Sequence, residues 1–286
     1  MLKVIGNIGV LVCVFGGYVL NNGHLSVLWQ PFEFMIIAGA ACMAFLVANS
    51  KHVVKQTFSD IKSIYKKDKY GKGEYIELLS MLLTVFKTAR SKGWLVMERH
   101  IENPQESEMF NRFPTFHDNH HAVTFLTDYL RLISLGADKP HEIESLMDQE
   151  LDTEREERGH TYHAISNMAD GLPALGIVAA VLGVIHTMGS ITEPPAILGH
   201  LIGGALVGTF LGVLLSYGFV APIAAAVKDR NDTEFKYYLC IKTCLLAFLQ
   251  GAAPQVAIEF GRKILTHGTQ PTFLEVEEAT QNITTA

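Results

Sequence analysis

Four long stretches of the sequence contain no Asp, Glu, Lys or Arg, and this uneven distribution of charge limits the chain to membrane folds. The uncharged stretches are residues 4–32, 34–50, 171–192 and 194–227. Charged residues make up 18% of the chain, against about 25% in soluble domains, and most lie in residues 51–170 and 228–286. A membrane span needs about 20 mostly apolar residues. The sequence therefore predicts an all-α, polytopic membrane protein with a large polar block.

Four segments are predicted to cross the membrane: span one (residues 4–20), span two (32–49), span three (172–190) and span four (201–226). Span one has the charged start and apolar centre of a signal peptide. However, the sequence YVLNNGHL that ends it lacks a small-residue cleavage site, and a second span follows at once. We therefore interpret span one as a retained membrane helix.

The loops between the paired spans determine the predicted orientation. Residues 21–30 and 191–200 contain no Lys or Arg, whereas lysines are frequent in residues 51–72, and basic residues recur in residues 228–236. Basic residues accumulate on the cytoplasmic side of membrane proteins. The sequence thus predicts that both termini and the polar block lie in the cytoplasm.

This topology divides the chain into four predicted domains. They are residues 1–50 with spans one and two, 51–168 as a large helical cytoplasmic domain, 169–227 with spans three and four, and 228–286 as C-terminal helices and a tail. Helical periodicity and turn residues predict helices over residues 74–92, 122–135, 141–158, 229–250 and 255–265. The polar tail from His267 is expected to be loose.

Small residues recur in spans three and four. Span four carries Gly204, Gly208, Gly212 and Ser216 at intervals of four, and span three carries Gly176 with small residues on the same side. Such a face lets another helix backbone approach closely. We expect these glycines to pack against a ring of neighbouring subunits or a central partner. The alternative is packing within one four-helix subunit.

One proline lies near the predicted cytoplasmic end of each of these spans. Pro173 and Pro222 each remove a backbone hydrogen bond, which leaves the carbonyls of Ala169 and Gly218 without their usual donor. Such helices are bent and locally weakened. A hinge and a static kink are equally compatible with this pattern.

An ion path through lipid usually needs an ionisable group at mid-depth. Spans three and four offer only hydroxyls there, on Thr187, Thr209, Ser216 and Tyr217. If the chain conducts an ion, the missing carboxylate must come from a partner subunit.

Several other functions have little support. The net charge of −6 argues against nucleic-acid binding. Cys240 and Cys244 lie one helical turn apart, either as core residues or as a redox pair or half a metal site. His117, His120 and His121 form H-x-x-H-H, which resembles one box of a di-iron membrane oxidoreductase, but such enzymes need several boxes. With no Walker A loop or G-x-S-x-G elbow, we expect no enzyme, no cofactor and no resident metal.

Several segments together resemble the MotA family, the larger membrane subunit of the bacterial flagellar stator. They are VFGGY at 14–18, QPFEFMIIAGA at 30–40, ERHIENPQESEMF at 98–110, GLPALGIVAAVLGVIH at 171–186, GALVGTFLGVLLSYGF at 204–219 and VAIEFGRK at 256–263. The resemblance covers essentially the whole chain. It implies a stator in the bacterial inner membrane, with a ring of five copies around two MotB-like partners. Each partner has a single span whose aspartate completes a proton channel that drives the rotor.

The resemblance also implies roles for individual residues. Pro173 and Pro222 match two prolines linked to conformational coupling, and Thr209 and Ala180 fall where the family lines its ion path. Tyr217 joins that set through its hydroxyl. Sodium-driven relatives have a hydroxyl residue at position 180, so alanine there favours protons as the transported ion.

Charged residues of the polar block carry the implied contact with the rotor. Arg90 and Glu98 match the charged pair that meets the rotor switch protein FliG, whereas Asp128 and Glu150 are expected to be solvated surface residues. The alternative is a related ExbB/TolQ-like energiser of an envelope complex. Those proteins have one span before the cytoplasmic block, and this chain has two.

Overall fold

The computed structural model describes residues 2–137 and 139–281, and within these ranges the chain consists of helices and connecting turns without a β-strand. Four helices are long and apolar enough to cross a membrane: Leu2–Leu20, Leu25–Ala48, Pro140–Met188 and Pro195–Leu249. They contain predicted spans one and four completely, and spans two and three except for their last one and two residues. The all-α membrane fold predicted from the sequence is therefore confirmed at this level.

The described part of the chain contains α-helices, two short 3₁₀ turns and two π-helical turns, in the following order. They are α1 (Leu2–Leu20), α2 (Leu25–Leu28), α3 (Pro31–Phe34), π1 (Met35–Gly39), α4 (Ala40–Ala48), α5 (Lys51–Ser63), α6 (Lys72–Lys92), α7 (Trp94–Glu102), 3₁₀ turns at Pro104–Glu106 and Phe110–Arg112, α8 (Pro114–His117), α9 (His120–Ser134), α10 (Pro140–Met188), α11 (Pro195–Leu215), π2 (Ser216–Val220), α12 (Ala221–Leu249), α13 (Pro254–Lys263) and α14 (Phe273–Gln281).

By its packing the chain divides into two units. The membrane unit comprises Glu157–Arg230 and the described residues up to Lys67, and the extramembrane unit comprises Asp68–Glu156 and the described residues from Asn231 onwards. The predicted boundary between residues 168 and 169 falls inside α10, because this helix continues from Pro140 to Met188 despite the internal Pro173. The four functional domains stay a prediction.

In the membrane unit, α1 has no buried residue and forms the outer part of the unit. One small core joins Ile37 and Ala41 of span two to Leu172 and Ala179 of span three. The first span is thus left for contact with lipid or with other chains.

The extramembrane unit has the larger core. The apolar run 78–86 of α6, too short to cross a membrane, is completely or almost completely buried there. The Phe86 ring stacks on Phe248 of α12 with centroids 4.5 Å apart. Glu77 fixes the start of α8, because its carboxylate accepts hydrogen bonds from the Thr115 backbone N–H (2.6 Å) and hydroxyl (2.7 Å). These contacts explain why residues 68–156 form a folded unit rather than a linker.

The prediction of a loose tail after His267 is wrong for residues 273–281, which form α14. Val276 and Thr280 of this helix are buried. Glu275 accepts a hydrogen bond from Lys72 Nζ at 2.7 Å, and this bond, with two from Thr272, lowers the pKa of Glu275 to about 2. The polar composition of the tail concealed these two buried positions one helical turn apart, where the Thr280 hydroxyl donates to the Val276 carbonyl. Residues 282–286 lie outside the described part of the chain.

The ERHIENPQESEMF segment at residues 98–110 holds a buried histidine, His100. Arg99 Nε donates to His100 Nε2 (3.2 Å), which leaves the proton on Nδ1 to meet Ser107 Oγ at 2.8 Å. Burial first, and then the neighbouring Arg99 charge, lower the pKa of His100, although Glu108 acts in the opposite direction. Protonation would add a charge in this buried site and break the bond from Arg99.

We therefore expect the extramembrane unit to lose stability in acid. The unfolded chain binds a proton at His100 near the ordinary value of about 6.5, whereas the folded chain binds it only at lower pH. The stabilisation is present above about pH 6.5 and is lost as the pH falls below it. Thermal denaturation between pH 7.5 and 5.5 should show a steeper loss for the original chain than for His100→Gln. The exposed control His267→Gln should behave like the original chain, and an equal slope in all three would contradict the assignment.

Candidate functional site

A close helix contact in the membrane unit joins α10 and α11. A Cβ placed on Gly212 would lie 2.7 Å from the Leu172 carbonyl oxygen and 2.8 Å from Gly176 Cα. One placed on Gly176 would lie 2.9 Å from the Gly208 carbonyl oxygen. The two backbones therefore touch along this face, and only glycine fits there.

The remaining glycine of the predicted set also packs inside the chain. A Cβ on Gly204 would lie 3.0 Å from Nε2 of Gln30, two residues before span two. We expected Gly176, Gly204, Gly208 and Gly212 to face other subunits or a central partner. Their contacts lie within the chain instead, because spans two, three and four pack on one another through this small-residue face.

Glu33 of span two, the one acidic residue within the first two spans, reaches this face. Its Oε2 lies 2.8 Å from the position of a Cβ on Gly208, and its Oε1 lies 3.2 Å from that of a Cβ on Gly183. Among the described residues, the buried Oε2 has no hydrogen-bond partner. Sequence reasoning missed this residue because it counted ionisable groups in spans three and four only. Its isolation between two uncharged stretches was the available signal.

The Ala169 carbonyl, which Pro173 leaves without a backbone donor, accepts a hydrogen bond from a side chain instead. Ser216 Oγ donates a 2.7 Å hydrogen bond to the Ala169 carbonyl oxygen, and the Ser216 side chain is completely buried. The bond joins span four directly to the turn of α10 that Pro173 weakens. Sequence reasoning named Ser216 only as a small residue and a hydroxyl, because no pattern showed that it faces Ala169.

The helix of span four widens into a π-helical turn at Ser216. Ser216 begins the π-helical turn π2, in which the Ala221 backbone N–H donates to the Ser216 carbonyl five residues earlier. Single π turns inside α-helices are frequently found at functional sites. Here the wider turn ends two residues before Pro222, which is exposed, whereas Pro173 is half-buried. Ser216 therefore connects the two proline-containing segments.

The three predicted ion-path residues are only partly brought together. Ala180 lies at the contact between α10 and α11, with its backbone nitrogen 3.0 Å from the position of a Cβ on Gly208. Thr209 follows Gly208 and is half-buried. Tyr217, two helical turns further along, has 66% of its surface exposed. Their common role on an ion path stays a prediction.

Arg90 and Glu98 lie on consecutive helices of the extramembrane unit. Arg90 is in the last turn of α6, Glu98 is in α7, and Gly93 with φ of 80° turns the chain between them. Both side chains are exposed, and within the described part of the chain neither forms an ion pair. Arg90 and Glu98 thus expose one positive and one negative charge near a sharp turn, and among the described residues neither charge is neutralised by an ion pair.

The two weaker charged candidates have partners within the unit. Asp128 lies 3.5 Å from Arg131, and Glu150 accepts a 2.6 Å hydrogen bond from the Tyr129 hydroxyl. Burial and then this bond raise the pKa of Tyr129 well above its ordinary value. Glu150 is therefore tied to a buried tyrosine rather than only solvated.

The histidines and cysteines show no arrangement for metal chemistry in the described residues. No group of three His, Cys, Asp or Glu side chains there could hold a metal ion. His117 contacts the Gln105 carbonyl and His120 contacts the Gln105 side chain. Cys240 and Cys244 are completely buried, and a hydrogen bond with Cys244, together with burial, raises the pKa of the Cys240 thiol. These contacts favour core roles.

Two family models match the chain. The Motility protein A N-terminal model matches residues 4–93, and the MotA/TolQ/ExbB proton channel family model matches residues 118–238. The second match, over the region that contains spans three and four, gives the class of protein, a membrane ion-channel subunit.

Relatives identify the family within that class. Motility protein A of Salmonella typhimurium is 43% identical over 97% of this chain and 94% of its own length. The flagellar MotAB stator complex from Bacillus subtilis is similar with a TM-score of 0.72 at 26% identity, covering 92% of this chain and 94% of the matched one. C. jejuni MotAB shares the fold, with a TM-score of 0.75 at 20% identity, and covers 92% and 95%. The chain belongs to the Motility protein A family.

Proposed function

We propose that this chain is the channel subunit of a flagellar stator that turns ion flow into rotation through the α10–α11 pair. As a member of the Motility protein A family it is a stator subunit, and the related MotAB structures support a MotB partner and a location in the inner membrane. Loop charge supports cytoplasmic termini and a large cytoplasmic helical domain. The moved ion is the only substrate, and we propose no bond-making reaction and no bound cofactor.

The observation that carries the mechanism is the Ser216–Ala169 hydrogen bond between the two proline-containing segments. A single-span partner would supply the membrane aspartate, whose charge state changes as the ion passes. Spans three and four meet through backbones, so a change in partner contact on one of them would be transmitted to the other. Moving one charge across the membrane supplies about 2.3 kcal/mol per 100 mV. That energy is comparable with breaking one such hydrogen bond.

Ala180 supports protons as the transported ion, with Thr209 and Tyr217 beside the path. The test is swimming of a stator-less strain that receives this chain and its partner, with and without sodium and then with a protonophore. We expect swimming to persist without sodium and to stop with the protonophore. Loss of swimming on removal of sodium would overturn the choice of ion but keep the stator function.

The alternative is an ExbB/TolQ-like energiser, since the proton channel family model covers those proteins as well. Two observations favour a stator. Two spans precede the first extramembrane segment, and the Motility protein A N-terminal model matches residues 4–93. Failure to swim in every buffer, with both proteins present in the membrane, would favour the energiser.

The rotor contact is proposed for Arg90 and Glu98, which would face oppositely charged groups of FliG, with five copies of the chain in each stator. The exposed, unpaired state of both side chains supports this role, since complementary charges steer association. Reversing Glu98 should therefore weaken recruitment of stators to the rotor.

We expect Glu98→Lys to lower the number of fluorescently tagged stators at the motor several-fold while the total amount in the membrane is unchanged. Glu278→Lys, at an exposed position of α14, is the matched control because it makes the same change of charge elsewhere in the extramembrane unit. Normal recruitment of Glu98→Lys would remove the proposed role.

A further inference from the structure

The segment that follows span two lies across the ends of the spans. Helix α5 begins directly after α4, and its N-cap Ser50 accepts a hydrogen bond from the Val53 backbone N–H. Just beyond its other end, the Tyr65 hydroxyl accepts a 2.9 Å bond from Nδ2 of Asn7, near the start of span one. The end of span two and the start of span one lie at the same membrane surface. Helix α5 therefore runs along that surface.

One face of α5 is anchored on the membrane unit. Ile61 and Ile64 pack with Ile165 of α10 and with Val227 of α12, and Ile64 and Val227 are almost completely buried. Nη1 of Arg230 donates a 2.7 Å bond to the Ser63 carbonyl oxygen. The face of α5 opposite Ile61 and Ile64 consequently points away from α10 and α12. It lies at the depth where the spans end.

That outward face combines lysines with aromatic side chains. Lys51, Lys55, Phe58 and Lys62 fall within an arc of about 60° on an α-helix, because successive residues are about 100° apart. All four are exposed, Phe58 by 60%, and Tyr65, Lys66 and Lys67 continue the exposed set in the turn after α5. Residues 51–67 contain five lysines and one acidic residue, Asp60, in a chain whose net charge is −6.

An exposed aromatic side chain flanked by lysines at the membrane surface matches an anionic lipid surface. The ammonium groups can contact phosphates, while the ring of Phe58 enters the upper part of the acyl layer. We propose that residues 51–67, here named the interfacial segment, bind anionic phospholipid headgroups of the adjoining leaflet through Lys51, Lys55, Lys62 and Lys66. The proposal depends on the membrane placement of α5, not on torque generation, so it stands apart from the proposed function.

The test measures lipid selectivity at this face in the full chain with its partner. Phe58→Trp places a fluorescent reporter there, and its emission is obtained by subtracting that of the chain without the substitution. The protein is reconstituted in phosphatidylcholine vesicles that contain either brominated phosphatidylglycerol or brominated phosphatidylcholine, and quenching by the two lipids is compared. We expect phosphatidylglycerol to bind about tenfold more strongly at this site, and 1 M salt to reduce that preference.

Two sets of substitutions identify the groups responsible. In the Phe58→Trp chain, the test set changes four lysines of the interfacial segment to glutamine: Lys51, Lys55, Lys62 and Lys66. The control set makes the same change of charge in the extramembrane unit, at Lys87, Lys92, Lys139 and Lys263. The preference for phosphatidylglycerol should be lost in the test set and retained in the control set.

Three results of the lipid comparison without added salt would overturn the proposal. They are equal quenching by both brominated lipids, a preference that survives the test substitutions, and no quenching by either lipid. The last result would mean that protein, such as a neighbouring copy of the chain, covers this face. Because glutamines could impair membrane insertion, the salt dependence of the chain with all its lysines is the second measurement. A preference for phosphatidylglycerol that does not change in 1 M salt also contradicts binding through lysines.

Discussion

Ser216→Ala is expected to lower the stability of the membrane unit and to reduce torque. The substitution removes the hydroxyl that donates to the Ala169 carbonyl at 2.7 Å, in a position where the Ser216 side chain is completely buried. A buried carbonyl left without a donor costs about 1–3 kcal/mol. The packing loss is small because only one oxygen atom is removed. Thermal denaturation of the purified complex and the swimming speed of complemented cells measure the two effects.

The cause of this loss can be isolated by combining it with Pro173→Ala. Alanine restores a backbone N–H at position 173, which can donate to the Ala169 carbonyl as in an unbroken helix. Ser216→Ala should then cost much less in the Pro173→Ala chain than in the original chain. Such a coupling is the expected sign of two groups that serve the same acceptor.

Rotation should respond differently from stability in this series. Pro173→Ala is expected to spare assembly but to stop rotation. In the continuous helix the Ala169 carbonyl accepts from the backbone of residue 173, so the Ser216–Ala169 hydrogen bond no longer couples α10 to span four. Ser190→Ala, which removes a hydroxyl near the far end of span three, is the control and should leave both readouts unchanged. Additive losses in the double variant, or full torque in Pro173→Ala, would contradict the proposed link.

The membrane fold followed from the sequence because uncharged stretches of sufficient length have few alternatives to crossing the bilayer. The two prolines followed as well, since their effect on a helix is local. The partner of the freed Ala169 carbonyl did not, because Ser216 lies in a different span, and its direction depends on how α10 and α11 pack. The position of Glu33 was not predicted for the same reason, because its carboxylate reaches glycines of two other spans.

Local composition also misled in one place. The tail beyond His267 is polar, and a polar segment usually stays solvated. Yet α14 forms, because Val276 and Thr280 lie on one side and are buried, while Lys72 holds Glu275. Spacing correctly predicted that the glycines of span four share a face. The predicted neighbour of that face was wrong, because small residues permit close approach without specifying which helix approaches.

Gly212→Ala is expected to separate α10 from α11 and to abolish torque. The added Cβ would lie 2.7 Å from the Leu172 carbonyl oxygen and 2.8 Å from Gly176 Cα. Both obstacles are backbone atoms, so no side-chain rotation can relieve the clash and one helix has to move. Overpacking of this kind typically costs about 1–3 kcal/mol even when side chains can adjust. Movement would also displace Ser216, one helical turn away, from Ala169.

Gly199→Ala is the matched control, because it lies on the same helix α11 and no atom lies within 4 Å of its added Cβ. Alanine is the better helix former by about 1 kcal/mol, so this variant should be at least as stable as the original chain. The same intrinsic gain is available at position 212, which means that any loss there understates the cost of the clash. Denaturation temperature and torque should therefore fall for Gly212→Ala and be retained for Gly199→Ala. Equal behaviour of the two variants would show that the backbones do not touch at Gly176, and the coupling through α10 and α11 would lose its physical basis.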